Sequence, residues 1–451
     1  MIRPDQCDGI DEAAVEAAVR EDPYDFVRVP EGAAEDLRAL LGIPAAVRPR
    51  IAFLAGPGDA AGSFEHWTRR EADPRTPVMA YSTMFYCLVA RLNAEALVVC
   101  EQARLPDAED PRFAFISIDR PRPPGPVAYR RSDMAYGRRV LQALRDYQPH
   151  ILLVGIDAPF WLMRCAPQEW RIVLTAHNAL YPMGLEQRTL RQRLRGWLTA
   201  ARLKRVVTGV CTSQEVARQV AEACPALGGR LWTEVPQVQR CHLRCGRDAT
   251  GIRRIVYVGR LEEDKGPLDL LAAFEAVASQ HQDLELIFAG DGSLAPRLTQ
   301  QVRQSPLRHR IHLAGVLDAR GVHDLLSTAD LLVCPTRRAF NEGLALVAIE
   351  AAIQGVPAIL SSVVPAKQLL QDACVEFPAD DVHALQECMQ DLIADPDRVA
   401  RLRDELTRRR HVHFDRSLSW GSRLCQALLA IERAEQSHPP PRGWHEGQRW
   451  P

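Results

Sequence analysis

Two basic side chains follow an apolar run in the second half of the chain. The run VYVG is typical of a strand, and it leads into Arg260 and, five positions later, into Lys265 beside Gly266. Fixed positive charge next to the free N–H groups of a helix start binds phosphate groups. The spacing therefore predicts a site for a diphosphate. Two solvated charges in a turn are the alternative, because surface lysine and arginine are common.

Two glutamates, Glu342 and Glu350, form the second group of candidates. Glu342 precedes Gly343 where a strand is predicted to turn into a helix, and Glu350 lies two turns further on, in a segment that is otherwise apolar through Gln354. A carboxylate in such a helix is costly to bury unless a partner hydrogen-bonds to it. The adjacent hydroxyls of a ribose would supply two donors. The alternative is that Glu350 reaches solvent or caps a neighbouring loop.

The first half of the chain contributes Gly62 and His177. Gly62 belongs to a glycine-rich loop, GPGDAAGS, which follows a predicted strand and allows the backbone to approach a phosphate or an acceptor closely. A tight turn between strand and helix is the alternative. His177 ends the predicted strand RIVLTAHN. Ligands of open parallel sheets bind beyond the carboxyl ends of the strands, so we expect His177 to point into a cleft.

The elements that position these residues form two successive series of apolar runs alternating with amphipathic segments. This alternation predicts an α/β fold with two parallel sheets. The predicted strands of the first series are RIAFLAG, EALVVC, FAFISI, HILLVGI, RIVLTAHN and RVVTGVCTS. Those of the second series are RRIVYVGR, LELIFAGDG, RIHLAGV, DLLVCPT and VPAILSS. Weak periodicity over residues 228–247 predicts a linker between the two cores.

The predicted domain organisation has five parts. The length of 451 residues exceeds what one core usually supports, which favours two domains. We expect an N-terminal appendage at 1–48 and an N-terminal Rossmann-like domain at 49–235. A C-terminal Rossmann-like domain follows at 250–415. A C-terminal helix at 416–436 is expected to pack back on the first domain, and a disordered tail follows at 437–451.

Composition excludes several classes of protein. The formal net charge of -1 provides no field for nucleic acid. The twelve cysteines are scattered in apolar runs, which indicates buried thiols in a reducing compartment. The longest apolar stretch is interrupted by Asp157 and Pro159, so no transmembrane helix is predicted. The acidic N-terminus does not indicate export. These observations predict a cytoplasmic protein.

One basic amphipathic segment is compatible with peripheral contact with a membrane. Between Arg188 and Arg205, leucines and Trp197 fall on one stripe of a predicted helix and basic residues fall on the other face. Such a helix can rest on anionic lipid at the inner face of a membrane, which would suit a lipid-linked acceptor. The alternative is a helix packed on its own sheet with a solvated basic face.

Together these motifs resemble the retaining glycosyltransferases of family 4, the group 1 glycosyltransferases of GT-B fold. The resemblance is carried by VGRLEEDKG, LIFAGDG, IHLAGV, ADLLVCPT and NEGLALVAIEAAIQGVPAI, between Ile255 and Asp372. It implies two Rossmann-like domains that face each other across a cleft. It also implies transfer of a sugar from a nucleoside-diphosphate sugar to a hydroxyl acceptor, with retention of anomeric configuration. The acceptor would be a glycan, a glycolipid or a small molecule, as in polysaccharide or glycolipid biosynthesis.

The resemblance also implies roles for individual residues. Arg260 and Lys265 would hold the donor phosphates, Glu350 the ribose and Glu342 the hydroxyls of the transferred sugar. The implied catalytic set is Arg260, Lys265, Glu342 and His177, and the implied donor-binding set is Gly259, Asn341, Gly343, Leu344, Glu350 and Gly62. The loop at Gly62 differs from the basic Gly-Gly-x-x-Arg loop of many relatives.

The sequence predicts no metal and no cofactor. No Asp-x-Asp pair ends a strand, because Asp395-Pro396-Asp397 stands where a helix should begin. Two other functions are alternatives. One is a different GT-B reaction, such as nucleotide-sugar epimerisation, whereas a glycogen-type phosphorylase would need a pyridoxal-phosphate lysine that no segment suggests. The other is a protein that binds nucleotide sugars without turnover.

Overall fold

The computed structural model describes residues 22–71, 73, 75, 78–183, 198–239 and 251–431. Residues 1–21, the predicted tail at 437–451 and most of the basic segment from Arg188 onward lie outside the described residues, as do Cys241 and Cys245. The described chain forms two parallel sheets, one from each half of the sequence. The predicted α/β class with two Rossmann-like units is thereby confirmed.

The first sheet has seven strands in the order β3-β2-β1-β4-β5-β6-β7. Apolar runs such as ILLVG in β4 are buried along almost their whole length, as is typical of parallel strands covered on both faces. The strands are β1 Arg50–Leu54, β2 Glu95–Cys100, β3 Phe113–Ser117, β4 Ile151–Gly155, β5 Arg171–Ala176, β6 Val206–Cys211 and β7 Leu231–Thr233. The helices are α1 Ala33–Leu41, α2 Ala60–Thr68, α3 Tyr81–Arg91, α4 Pro126–Tyr147, α5 Phe160–Cys165 and α6 Gln214–Ala223.

The second sheet has six strands in the order β10-β9-β8-β11-β12-β13. Its strands are β8 Arg254–Val258, β9 Glu285–Ala289, β10 Ile311–Gly315, β11 Leu331–Cys334, β12 Ala358–Ser361 and β13 Cys374–Phe377. The helices that follow in the chain are α7 Pro267–Ala278, α8 Ala295–Gln304, α9 Ala319–Thr328, α10 Leu346–Ile353, α11 Lys367–Leu370, α12 Val382–Ala394, α13 Pro396–Arg409 and α14 Trp420–Leu429. Pro267 occupies the first turn of α7, where its missing N–H costs nothing.

Two strands differ from the sequence expectation. The strand β7 lies inside the segment predicted as a linker, and β13 was not predicted at all. Both are edge strands of only three and four residues. All three residues of β7 are half-buried. Such short strands carry too little alternation or apolar length to stand out in a sequence.

The first and the last described segments of the chain pack on the first sheet. In α14, Trp420 and Leu424 belong to the same buried core as Phe53 of β1. Residues 22–41, expected within an appendage, contribute Phe26 and Leu37 to that core, and both side chains are fully buried. This part of the chain is therefore integral to the first domain. Its sequence is short and lacks the long periodic run that would have shown this.

Two segments connect the domains and bind one another. Residues 234–239 lead from the first sheet toward the second, and residues 412–419 return. The N–H of Val235 donates to the carbonyl of Leu418 at 2.9 Å, and the N–H of Val238 donates to the carbonyl of His413 at 3.1 Å. The buried Arg416 guanidinium donates to the carbonyl of Val238 at 2.9 Å. Backbone and side-chain hydrogen bonds therefore join the two connecting segments.

Two further expectations concern membranes and thiols. Among the described helices, none combines the length and the apolar content that crossing a bilayer requires. All nine cysteines in the described ranges are free thiols, and six of them are buried.

Candidate functional site

A cavity of about 460 Å³ lies between the two sheets. It is reached from the carboxyl ends of strands in both halves, where open parallel sheets bind ligands. From the first half it receives side chains that begin α3 or follow β5 and β6. From the second half it receives the loops after β8 and β11 and the start of α10. The sequence candidates that line it are His177, Gly259, Arg260, Lys265, Glu342, Gly343, Leu344 and Glu350.

The two predicted cations share one aromatic ring. Lys265 ends a 3-10 turn, Glu263–Lys265, and its ammonium lies 4.1 Å from the centre of the Phe340 ring. The Arg260 guanidinium lies 5.3 Å from the same centre. Cations within about 6 Å of a ring are attracted to its face. Both positive charges are therefore held on one wall of the cavity.

A glycine allows the loop that carries Lys265 to come this close. Gly266 has a φ of 68°, and a Cβ at this position would overlap the carbonyl oxygen of Pro335 after β11. Both the positive φ and the contact exclude a larger residue. The loop after β8 thus lies directly against the loop after β11.

Glu342 already has partners inside the protein. Its side chain is 9% exposed, and its carboxylate accepts a hydrogen bond from the Lys265 ammonium. The same oxygen, Oε2, accepts a bond from Thr336 Oγ1 at 3.4 Å. The Thr336 carbonyl in turn accepts from Ser361 Oγ at 2.6 Å. The charge on Glu342 is thus balanced, and its position is fixed from two loops and a strand.

Glu350 is different, because its carboxylate has no hydrogen-bond or ion partner among the described residues. It sits in α10, half-buried, and lines the cavity. Burial raises its pKa to about 7. A free carboxylate in a cavity is a strong acceptor for a ligand that brings hydroxyl donors.

His177 reaches the cavity from the carboxyl end of β5. Its ring stacks on the ring of Tyr81, with 4.1 Å between centres and 30° between planes. Its Nδ1 is buried and has no partner in the described part of the chain. Burial lowers the pKa of His177 to about 4, against a smaller opposing effect of Asp157. The imidazole is therefore neutral near pH 7 and is a polar group without charge.

The two halves of the site meet at Gly343. A Cβ on Gly343 would overlap the backbone carbonyl oxygen of His177. Only glycine permits this approach of the α10 loop to the end of β5. The contact places the histidine of the first domain beside the glutamate loop of the second.

Two predicted donor-binding residues do not line the cavity. Gly62 lies in the first turn of α2, and its N–H donates to Asp59 Oδ1 at 2.9 Å as part of a helix cap. Arg75 bonds Asp59 and Asp73, so this loop is closed by its own ion pairs. Asn341 precedes Glu342 but lies outside the lining. The glycine-rich loop, which was expected to contact the donor, therefore forms the N-terminal cap of α2 instead.

Sequence reasoning missed five polar residues of the lining, which are Tyr81, Asn178, Thr212, Tyr257 and Thr336. Thr212 directly follows β6 and Thr336 follows β11 by two positions, so their places at strand ends were a usable signal. Tyr81 begins a helix and carried no such signal. In the described ranges, no group of three His, Cys, Asp or Glu side chains is placed to hold a metal ion.

Two family models match the chain. One, described as glycosyl transferases group 1, matches residues 248–409. The other, described as glycosyltransferase family 4, matches residues 87–230. The two matches fall on the second and first sheets respectively, and they include every lining residue of the cavity except Tyr81.

Curated relatives match over part of their length. The glycogen synthase of Mycobacterium tuberculosis is 30% identical over 201 residues, which cover 44% of this chain and 47% of the relative. The alpha-D-kanosaminyltransferase of Streptomyces kanamyceticus is 24% identical over 145 residues, 32% of this chain and 37% of the relative. The chain thus matches less than half the length of either relative.

Solved structures match over most of the chain. HepE of Anabaena in complex with UDP has a TM-score of 0.58 at 13% identity, over 87% of this chain and 100% of that one. Sucrose-phosphate synthase of Thermosynechococcus elongatus has a TM-score of 0.62 at 17% identity, over 86% and 99%. At these identities the similarity shows the fold, which is GT-B.

Proposed function

We propose that this chain, which belongs to the group 1 glycosyltransferases of GT-B fold, moves a sugar from a nucleoside-diphosphate sugar to a hydroxyl acceptor. The observation that carries the proposal is that one cavity brings together two cations and Glu350, which has no partner in the described part of the chain. They face a neutral histidine from the other domain. The cations complement the diphosphate of such a ligand, and the glutamate complements its hydroxyl groups. The relative HepE, solved with UDP, supports a nucleotide in the donor.

Arg260 and Lys265 are proposed to hold the diphosphate. Negative charge develops on the leaving diphosphate as the bond to the sugar breaks, and fixed cations stabilise it without reorganisation. Lys265 is bound to Glu342 in the free protein. The donor phosphate would therefore share this ammonium with Glu342, which keeps the lysine oriented toward the cavity before the donor arrives.

Glu350 is proposed to bind the ribose. Its carboxylate lines the cavity, and burial raises its pKa. A raised pKa is expected of a carboxylate that receives hydrogen bonds only when a ligand binds. Two adjacent ribose hydroxyls would supply them. Gly259 at the end of β8 lines the same side of the cavity and allows the nucleotide to lie close to the backbone.

Glu342 and the loop that follows are proposed to bind the transferred sugar. The carboxylate would accept from sugar hydroxyls, and the backbone N–H groups from Glu342 to Leu344 would complete the pocket. His177 lies across the cavity, where a neutral imidazole can exchange hydrogen bonds with a sugar hydroxyl. We assign Gly62 no role in donor binding, because its N–H already donates to Asp59.

The acceptor and the stereochemistry belong to the same proposal. A hydroxyl that attacks from the face the diphosphate leaves would give retention of configuration. The acceptor would be a glycan, a glycolipid or a small molecule in polysaccharide or glycolipid biosynthesis, in the cytoplasm. A lipid-linked acceptor would suit peripheral contact through the segment between Arg188 and Arg205.

A ligand screen followed by a rate measurement tests the proposal against its two alternatives. Nucleoside diphosphates and their sugars are screened for a thermal shift, since a ligand at about 100 times its dissociation constant adds about 2.7 kcal/mol. The stabilising sugar is then incubated with protein and candidate acceptors. Release of the nucleoside diphosphate supports transfer. An epimerised, intact donor indicates the epimerase alternative, and stabilisation without any turnover indicates a binding protein.

The first prediction from this proposal concerns metal. Turnover in excess EDTA should stay within about twofold of the untreated rate, because the proposed cations and helix N-termini stabilise the diphosphate. The rate of nucleoside diphosphate release is measured before EDTA, after EDTA, and after magnesium or manganese is restored. A rate that falls in EDTA and recovers with either metal would show that a divalent ion is required.

The second prediction concerns pH. The free Glu350 carboxyl, with its pKa near 7, is mostly protonated at pH 6 and mostly ionised at pH 8. Hydroxyl donors favour the ionised form, so affinity for the intact nucleotide sugar should rise about tenfold across this range and then level off. The intact donor is used because the terminal phosphate of a bare diphosphate titrates near pH 6.

The control for this prediction is Glu350→Gln, which should bind the donor with nearly the same affinity at pH 6 and pH 8. The histidine of the cavity does not confuse the result, because the pKa of His177 lies near 4. Calorimetry in two buffers of different ionisation enthalpy measures the protons released on binding. A pH dependence that persists in Glu350→Gln would assign the titration to another group.

A further inference from the structure

We propose that Tyr81, anchored by the buried carboxyl group of Glu234, is the positioning residue that holds His177 in the cavity. The inference rests on the proposed function, because it assigns His177 a place beside the reacting sugar. Neither Tyr81 nor Glu234 was expected from sequence. Both belong to the first domain, on different elements, and meet behind the histidine.

Stacking joins Tyr81 to His177. Tyr81 is the first residue of α3, and its ring lies 4.1 Å from the imidazole at an interplanar angle of 30°. Trp420 of α14 flanks both rings, with its centre 5.5 Å from Tyr81 and 6.5 Å from His177. These aromatic contacts restrict rotation of the imidazole.

A hydrogen bond fixes the Tyr81 ring from its far end. The Tyr81 hydroxyl donates to Glu234 Oε1 at 2.6 Å. Glu234 is 3% exposed and directly follows β7, and its own N–H donates to the carbonyl of Cys211 at 3.1 Å. Burial raises the pKa of Glu234 to about 8, and the Tyr81 hydroxyl opposes that shift. A buried carboxyl group needs this partner, so the tyrosine is held in one orientation.

No described residue forms a hydrogen bond with the imidazole ring of His177. Its Nδ1 is buried without a partner in the described part of the chain, and Thr212 bonds only its backbone carbonyl, at 3.4 Å. The direction in which the imidazole points is therefore set by stacking. Tyr81 also lines the cavity, so its loss would leave open space beside the histidine.

The experiment compares Tyr81→Leu and Tyr81→Phe, each alone and combined with His177→Ala. Tyr81→Leu removes the stacked ring, and Tyr81→Phe keeps the ring but removes its anchor. We expect Tyr81→Leu to lower kcat about 10- to 100-fold with little change in the donor KM, as for a displaced group in the site. Tyr81→Phe should lower kcat less. In the His177→Ala background, both changes should have almost no further effect.

Tyr86→Phe is the matched control. Tyr86 lies on the same helix, is fully buried and donates its hydroxyl to the carbonyl of Ala60 at 2.8 Å, away from the cavity. Tyr86→Phe should change kcat by less than about twofold, although it also removes one hydrogen bond from a buried tyrosine hydroxyl. Equal kcat losses in Tyr86→Phe and Tyr81→Phe would reduce the role of Tyr81 to general stability of α3. Losses at Tyr81 that persist in full without His177 would overturn the proposal as well.

A second readout does not depend on activity. The pKa of His177 is measured by nuclear magnetic resonance in the unliganded protein, with His177→Ala used to assign its signal. In Tyr81→Leu we expect this pKa to rise from about 4 toward the ordinary 6.5, because water reaches the freed ring. An unchanged value would show that the tyrosine does not confine the imidazole. If the wild-type protein transfers no sugar, the proposed function fails, while this titration still decides the role of Tyr81.

Discussion

We expect Lys265→Ala to lower the rate of sugar transfer by about 10²- to 10³-fold, because the variant lacks one of the groups that stabilise the charge of the transition state. The ammonium is fixed on the wall of the cavity by the Phe340 ring and by Glu342. It is therefore oriented before the donor binds. A cation that needs no reorganisation during the reaction has its largest effect on the rate of the chemical step.

The same pairing complicates the interpretation of that variant. Without Lys265, the only bond that described residues still give the Glu342 carboxylate is the one from Thr336 Oγ1 at 3.4 Å. The Glu342 side chain is just 9% exposed, so water cannot easily replace the lost partner. Leaving a buried partner unsatisfied costs about 1–3 kcal/mol. We therefore expect the thermal midpoint of Lys265→Ala to fall, which on its own would confuse a loss of activity with a loss of folded protein.

The double variant Lys265→Ala/Glu342→Gln separates the two effects. The neutral amide no longer needs a cation, so the midpoint should recover most of the way to the wild-type value. Transfer should stay as slow as in Lys265→Ala or slower. Rate and midpoint are measured on the same preparations. A double variant that regains both would make Lys265 a structural residue, and an active single variant would remove it from the site.

The fold could be predicted from sequence where strands are long, apolar and buried on both faces. The runs RIAFLAG and RIVLTAHN contain β1 and β5, each with at least three consecutive buried residues. The two strands that were not predicted, β7 and β13, lie at the edges of the sheets. The three half-buried residues of β7 are too few to form a periodic pattern, and they pair with β6. Such pairing is a tertiary effect that local periodicity does not contain.

The site residues, like the strands, could be predicted where the signal is local and not where it depends on tertiary contacts. Strand ends and helix starts are local features, so Arg260, Lys265, His177 and Glu350 could be named, and all four line the cavity. The bond between Lys265 and Glu342 joins residues 77 positions apart. It depends on how two loops meet, which no spacing reveals. Tyr81 was missed for the same reason, because its partner Glu234 lies 153 positions away.

The two glutamates should have separable effects on binding and catalysis. Glu342 precedes α10, whereas Glu350 lies inside it. Glu350 has no partner among the described residues, and Glu342 is bound to Lys265. If Glu350 contacts the ribose, Glu350→Gln should weaken binding of the bare nucleoside diphosphate about 10- to 100-fold, since a hydrogen bond to a charged group contributes about 1.5–3 kcal/mol. The ribose is common to donor and product, so both should lose affinity.

Glu342→Gln should act on the complete donor instead. Affinity for the bare nucleoside diphosphate should stay the same or increase, because Lys265 no longer shares its charge with a carboxylate. Turnover should fall and the preference among sugars should change, since only the intact donor carries the hydroxyls that Glu342 contacts. Calorimetry with the nucleotide is set beside kinetics with several nucleotide sugars. The exposed Glu387, on α12 outside the cavity, provides the control Glu387→Gln, which should alter neither. Equal losses of nucleotide affinity in Glu342→Gln and Glu350→Gln would mean that both carboxylates contact the nucleotide and that the sugar is recognised elsewhere.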